Sequence, residues 1–171
     1  RTDAEGLDGD GYLYKKWEND YKTNEKNLID GYIQKGAAED ARAKLDEQHL
    51  YGATRTCCQT ETYSCKVGNR WTTCTRCKIW GYVGWAYSGQ SHNNQDNSFE
   101  GSSNWSGAST QPASGRGSSA CVLSYSEAEN TARNQAYNQL TNQINSGASK
   151  SSSAKTKEPK LLEKIRQCTN N

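Results

Sequence analysis

No methionine occurs among the 171 residues, and the chain opens at Arg1. Translation starts with methionine, so this absence predicts that an N-terminal signal peptide or prosegment has been removed. Aliphatic side chains are nearly as scarce: Leu, Ile, Val and Phe together number 18, about a tenth of the chain. That lies below the ~20% at which composition begins to suggest disorder. No run approaches the ~18 apolar residues of a transmembrane helix, so no membrane span is expected. Charge of one sign is also lacking, with 21 basic groups against 19 acidic. A net charge of +2 is too small for a nucleic-acid partner.

What is present argues against disorder. Five Trp, ten Tyr and seven Cys accompany that small net charge. A domain so poor in aliphatic core must draw stability from elsewhere. Disulfides, each contributing roughly 2–4 kcal/mol, or burial against other subunits are the available sources. Both imply an oxidising, extracellular or cell-surface location. Charge is uneven along the chain: residues 1–50 sum to −4 and residues 51–88 to +4.

Four segments and a tail emerge. Residues 1–51 read as a helical hairpin, with one stripe at Leu13, Trp17, Tyr21 and Leu28 and a second at Ala37, Ala38, Ala41 and Leu45. Gly31 and Gly36 are expected to break the two helices apart. Residues 55–88 turn to the β-branched and aromatic mix of strands. Gly68-Asn69 predicts a tight two-residue hairpin turn, in which residues whose numbers sum to 137 face one another. A further strand is expected over Tyr82 to Tyr87, after a break at Gly81. Residues 89–120 form a polar loop or irregular edge, anchored by Phe99 and Trp105. Residues 121–145 read as a short strand, Cys121 to Tyr125, then a helix. That helix opens on a capping box at Ser126-Glu127-Ala128-Glu129, follows Ala132, Ala136, Leu140 and Ile144, and closes at Gly147. Residues 146–171 are expected to be a flexible Ser/Lys linker and a tail carrying Cys168. The fold class that follows is α+β. A small antiparallel sheet stapled by disulfides packs against an N-terminal helical hairpin and a C-terminal helix, with residues 1–145 forming a single domain.

The cysteines are the most informative set: Cys57, Cys58, Cys65, Cys74, Cys77, Cys121 and Cys168. On the hairpin register Cys65 and Cys74 are diagonal neighbours, as are Cys58 and Cys77. Diagonal spacing is wider than a bridge prefers, so these pairings require a bulge or strong twist. Four thiolates of this cluster would also suffice for zinc. Such sites usually present two close-spaced pairs, whereas here only Cys74 and Cys77 are so spaced and the upstream cysteines are adjacent or six or more residues apart. As a redox Cys-x-x-Cys the motif lacks its strand-to-helix context. Structural disulfides are therefore expected, with no metal. Seven is odd, so one thiol stays unpaired or bonds another copy. Cys168 either reaches a neighbouring copy or folds back onto Cys121.

Other motifs are weaker. Asp8-Gly9-Asp10-Gly11 alternates carboxylate and glycine as calcium loops do, but Trp17 stands where the closing carboxylate belongs. Asn104-Trp105-Ser106 is a glycosylation sequon. The only histidines are His49 and His92. Neither sits in a recognisable catalytic motif, so a non-enzymatic protein without cofactor is expected. Trp71, Trp80, Tyr82, Trp85 and Tyr87 lie on strands. They form either the core of an aliphatic-poor sheet, the reading favoured here, or a platform for sugar rings.

The composition favours a structural subunit of an extracellular assembly, such as a filament, appendage, surface coat or adhesive, whose partners are copies of itself. Asn, Gln, Ser and Thr make up 57 residues, suited to polar contacts between copies. A secreted carbohydrate-binding module using the Trp/Tyr strand faces is the alternative, and a secreted toxin or inhibitor a further one.

Overall fold

In the computed structural model, residues 11–92 and 111–169 are described. The elements run α1 (Tyr12–Glu47), β1 (Tyr51–Val67), β2 (Arg70–His92), β3 (Gln111–Ser118) and α2 (Tyr125–Thr169). The strands form one antiparallel sheet in the order β1-β2-β3. The α+β class with a small disulfide-stapled sheet is as the sequence implies. The chain falls into two compact units.

The first unit comprises, among described residues, 11–38, 91–92, 111–113 and 142–169. Its helical part is an antiparallel pair. Asn24 Nδ2 donates to the Ala154 carbonyl at 2.8 Å, and the Ser151 hydroxyl donates to the Leu28 carbonyl at 3.1 Å. The seam on α2 runs Ile144, Gly147, Ser151, Ala154, Glu158, Leu161, Ile165 and Cys168, each at least half-buried. These alternating steps of three and four are a heptad repeat. Trp17, Tyr21, Asn24, Leu28, Gly31, Lys35 and Ala38 repeat it on α1.

The helical hairpin expected over 1–51 is, among the described residues, a single helix: α1 is continuous through Gly31 and Gly36. Gly31 is buried at the seam, where a Cβ would come within 2.7 Å of the Gly147 carbonyl oxygen and the Ser151 nitrogen. Residues 146–159 are no linker but the middle of α2, whose small residues admit α1 closely. Gly147 therefore packs a helix rather than ending one. Even Pro159 lies inside α2.

The second unit comprises residues 39–90 and 114–141. Here α2 lies directly on the strands. Gly84 and Gly117 meet the carbonyls of Ala128 and Ala132, and Gly115 meets Leu140. Glycine is needed because a side chain would hold helix and strand apart. Leu45, Ala86, Ala132 and Ala136 form the core, with Leu50, Tyr51 and Tyr137 packed against it. The Ser88 hydroxyl is buried and donates to the Ala41 carbonyl at 2.6 Å. Arg133 grips both oxygens of Asp46, at 2.9 and 3.3 Å. That side-chain hydrogen bond, more than the charge itself, holds the guanidinium's pKa up.

The polar loop expected over 89–120 is partly strand: residues to His92 belong to β2 and Gln111–Ser118 form β3. The outer edge of β3 is covered by α2. Arg116 N–H donates to Gln139 Oε1 at 2.8 Å and Ser118 N–H to Gln135 Oε1 at 3.1 Å. Gly81 interrupts nothing, since β2 passes through it. The strand expected over Cys121 to Tyr125 is a single bridge, Val122 to Tyr82. The α2 cap lies two residues earlier than expected, with Ser124 Oγ accepting from Glu127 N–H at 3.3 Å.

Candidate functional site

The β1–β2 hairpin carries the chemistry. Its register runs from Val67↔Arg70 to Tyr51↔Ala86 on the expected sum of 137, shifting only between Cys57 and Thr60. Cys58 on β1 and Lys78 on β2 are the unpaired residues there, so two opposed bulges restore the register. They also redistribute the cysteines. Cys57 bridges Cys77 and Cys65 bridges Cys74, each with Cα atoms 5.8 Å apart. The expected Cys58–Cys77 diagonal is not formed. Cys58 points the other way and bridges Cys121, and Gly81 leaves room for its sulfur.

These bridges decide the other cysteine expectations. Sulfurs committed to disulfides are not zinc ligands. Cys121 is taken, so Cys168 does not fold back onto it. Cys168 is in no disulfide and is only 3% exposed within α2, rather than placed on a flexible tail. Among the described residues no group of three or more His, Cys, Asp or Glu could hold a metal. No described helix is long and apolar enough to cross a membrane. Asp8–Asp10, Phe99, Asn104 and Trp105 lie outside the described residues.

The five strand aromatics fall into three places. Tyr82 is half-buried, edge-on to Tyr125 with centroids 5.4 Å apart. Trp85 and Tyr87 share the opposite face of β2 and are exposed. The Trp85 indole lies across Gly52 on β1, and Arg116 lies 5.1 Å above the Tyr87 ring. A groove of about 530 Å³ beside Tyr87 is lined by Arg116, Gln135 and Gln139. Trp71 and Trp80 stand on the distal hairpin and are 72% and 52% exposed. The expectation that these aromatics form core thus fails for all but Tyr82.

From residue 53 to 80 no side chain is buried; this stretch of the hairpin is an arm with solvent on both faces. One face can be followed through the register. Arg55 and Trp80 share it with Cys57, and the Cys57–Cys77 bridge carries it forward. Beyond the bridge, Thr60, Thr62, Ser64 and Lys66 on β1 alternate onto it, opposite Thr75, Thr73 and Trp71 on β2. A ladder of exposed hydroxyls therefore runs between two tryptophans. Each carries a cation: Arg55 lies 4.6 Å from the Trp80 ring centroid and Lys66 lies 6.0 Å from that of Trp71. On the reverse face Arg76 pairs with Glu61 at 2.9 Å and covers Tyr63 at 4.5 Å. Arg55, Lys66 and the hydroxyl ladder are not among the residues that the sequence singles out, although the sum-of-137 register sets Lys66 opposite Trp71.

Comparison with protein-family models, curated proteins and solved structures gives no match.

Proposed function

We propose that this is a secreted, non-enzymatic recognition protein that binds carbohydrate through the stapled β1–β2 arm. One observation carries the reading. The arm buries none of its side chains between residues 53 and 80, yet two disulfides cross it and two tryptophans stand exposed upon it. An isolated two-stranded hairpin is marginal in water, so the bridges serve rigidity. A rigid element with no part in the core has its use in contact with something else. Exposed indoles beside hydroxyl rows present the stacking and hydrogen-bonding groups that sugar rings need.

The test is a panel of immobilised polysaccharides probed with the whole chain and with Trp71→Ala and Trp80→Ala. Retention of the parent chain, lost in both variants, supports the proposal. No retention on any polysaccharide, or retention indifferent to both substitutions, overturns it.

A structural subunit of a filament, appendage, coat or adhesive is the second reading, favoured by one feature. Among the described residues no strand pairs with the outer edge of β1, 17 residues long, whereas β3 is covered by Gln135 and Gln139. Open edges pair with other chains. Charge docking between segments is less favoured, because residues 12–47 carry seven basic and eight acidic groups and are nearly neutral. Light scattering at rising concentration separates the readings: a strict monomer removes the second.

A further inference from the structure

From the charge and geometry of the arm we infer that its ligand is an acidic polysaccharide, an extended polymer bearing carboxylate or sulfate groups. The inference rests on the carbohydrate reading above and narrows it. Residues 51–92 hold five Lys and Arg against one acidic residue, Glu61, and Glu61 is engaged by Arg76. The remaining cations, Arg55, Lys66, Arg70 and Lys78, therefore have no acidic residue of their own segment left to pair with. Such a surplus attracts anions, and arginine matches carboxylate and sulfate with paired donors.

The spacing sets the length of the ligand. Trp71 and Trp80 are nine residues apart on β2, roughly 30 Å at ~3.3 Å per residue. A single sugar cannot span that distance; a chain lying along the hydroxyl ladder can meet both ends at once. At each end the indole offers a ring for stacking while the cation beside it, Arg55 or Lys66, meets an acidic substituent. The staples hold these groups at fixed separation before binding, which lowers the entropy lost on docking.

Two other anionic partners fit less well. A lipid surface requires an apolar stripe, whereas the arm face between its two tryptophans is threonine and serine, and Val67 at the tip lies on the reverse face. A single-stranded nucleic acid requires rings at successive base spacing, whereas these two stand at opposite ends of the ladder.

The experiment is calorimetric titration of the whole chain with heparin, polygalacturonate and neutral dextran, at low and high salt. Binding of heparin or polygalacturonate, with dextran at least about tenfold weaker, is expected, and added salt should weaken it through screening. The double variant Arg55→Gln/Lys66→Gln should lose about tenfold in affinity for the acidic polymers. Trp71→Ala should weaken the same binding, which a diffuse attraction to net charge would not show. Dextran bound as tightly as heparin, without salt dependence, overturns the acidic assignment and leaves the carbohydrate reading standing. Failure of all three polymers overturns both. Heparin binding unaltered by Trp71→Ala, or binding confined to phosphatidylserine vesicles or single-stranded DNA, also overturns the inference.

Discussion

Gly31 of α1 and Gly147 of α2 face each other across the helix pair. A Cβ built on either would lie 2.7 Å from the other's carbonyl oxygen. Substituting alanine in an open helix stabilises by about 1 kcal/mol, but here the methyl must force two backbones apart. Overpacking of this kind costs typically ~1–3 kcal/mol. Gly31→Ala and Gly147→Ala should therefore each lower the melting temperature, read by circular dichroism at the helical band.

Gln139 and Gln135, one turn apart on α2, hold alternate amides of the edge strand. The geometry matches because four residues of helix rise about 6 Å and two residues of strand about 7 Å. Gln139→Ala should cost about 1 kcal/mol. In hydrogen exchange the Arg116 amide should speed up about tenfold on the same grounds, while the Gly84 amide, held by Ser119 Oγ at 2.7 Å, stays unchanged.

Glu25 on α1 has its carboxyl pKa raised, first by burial and then by Glu158 of α2. Its folded-state value exceeds its unfolded one, so the sign is set. The stability this group contributes is fully present below the ordinary carboxylate range and is lost as pH rises through the raised value. Glu25→Gln should raise the melting temperature at neutral pH and leave it nearly unchanged at acid pH. A thermal melt series across pH on both proteins checks this.

Three disulfides and one buried thiol give a definite chemical count. Peptide mapping of the unreduced protein should recover Cys57–Cys77, Cys58–Cys121 and Cys65–Cys74. A thiol reagent should label Cys168 in denaturant and leave it unlabelled in the native chain.

The hairpin was legible because Gly68-Asn69 fixes its turn, and alternation then places each partner. Cys65–Cys74 follows from that register. Cys58–Cys121 does not, because the bulges at Cys58 and Lys78 have no local signature, and Cys121 arrives through a distant segment. The continuity of the helices is hidden in the sequence for a different reason. Gly31, Gly147, Ser151 and Ala154 look like breakers and linker residues when only apolar periodicity is sought. Their three-four spacing was present all along, but close helix contact selects for small side chains rather than oily ones. The exposure of the aromatics is not legible because a strand rich in Trp reads the same whether it packs against the start of a helix, as at Tyr82, or stands in solvent, as at Trp71. Arg55 and Lys66 are not legible because cations beside tryptophan have no one-dimensional pattern until the strands are paired.

Whether the arm is a surface or a core is decided by the melting temperature of Trp71→Ala/Trp80→Ala. Exposed substitutions usually stay within about 0.5 kcal/mol, so the double variant should melt close to the parent chain. Burying these rings would instead make each truncation cost ~3–5 kcal/mol. A loss of that size would return both tryptophans to the interior and remove the arm as a binding surface.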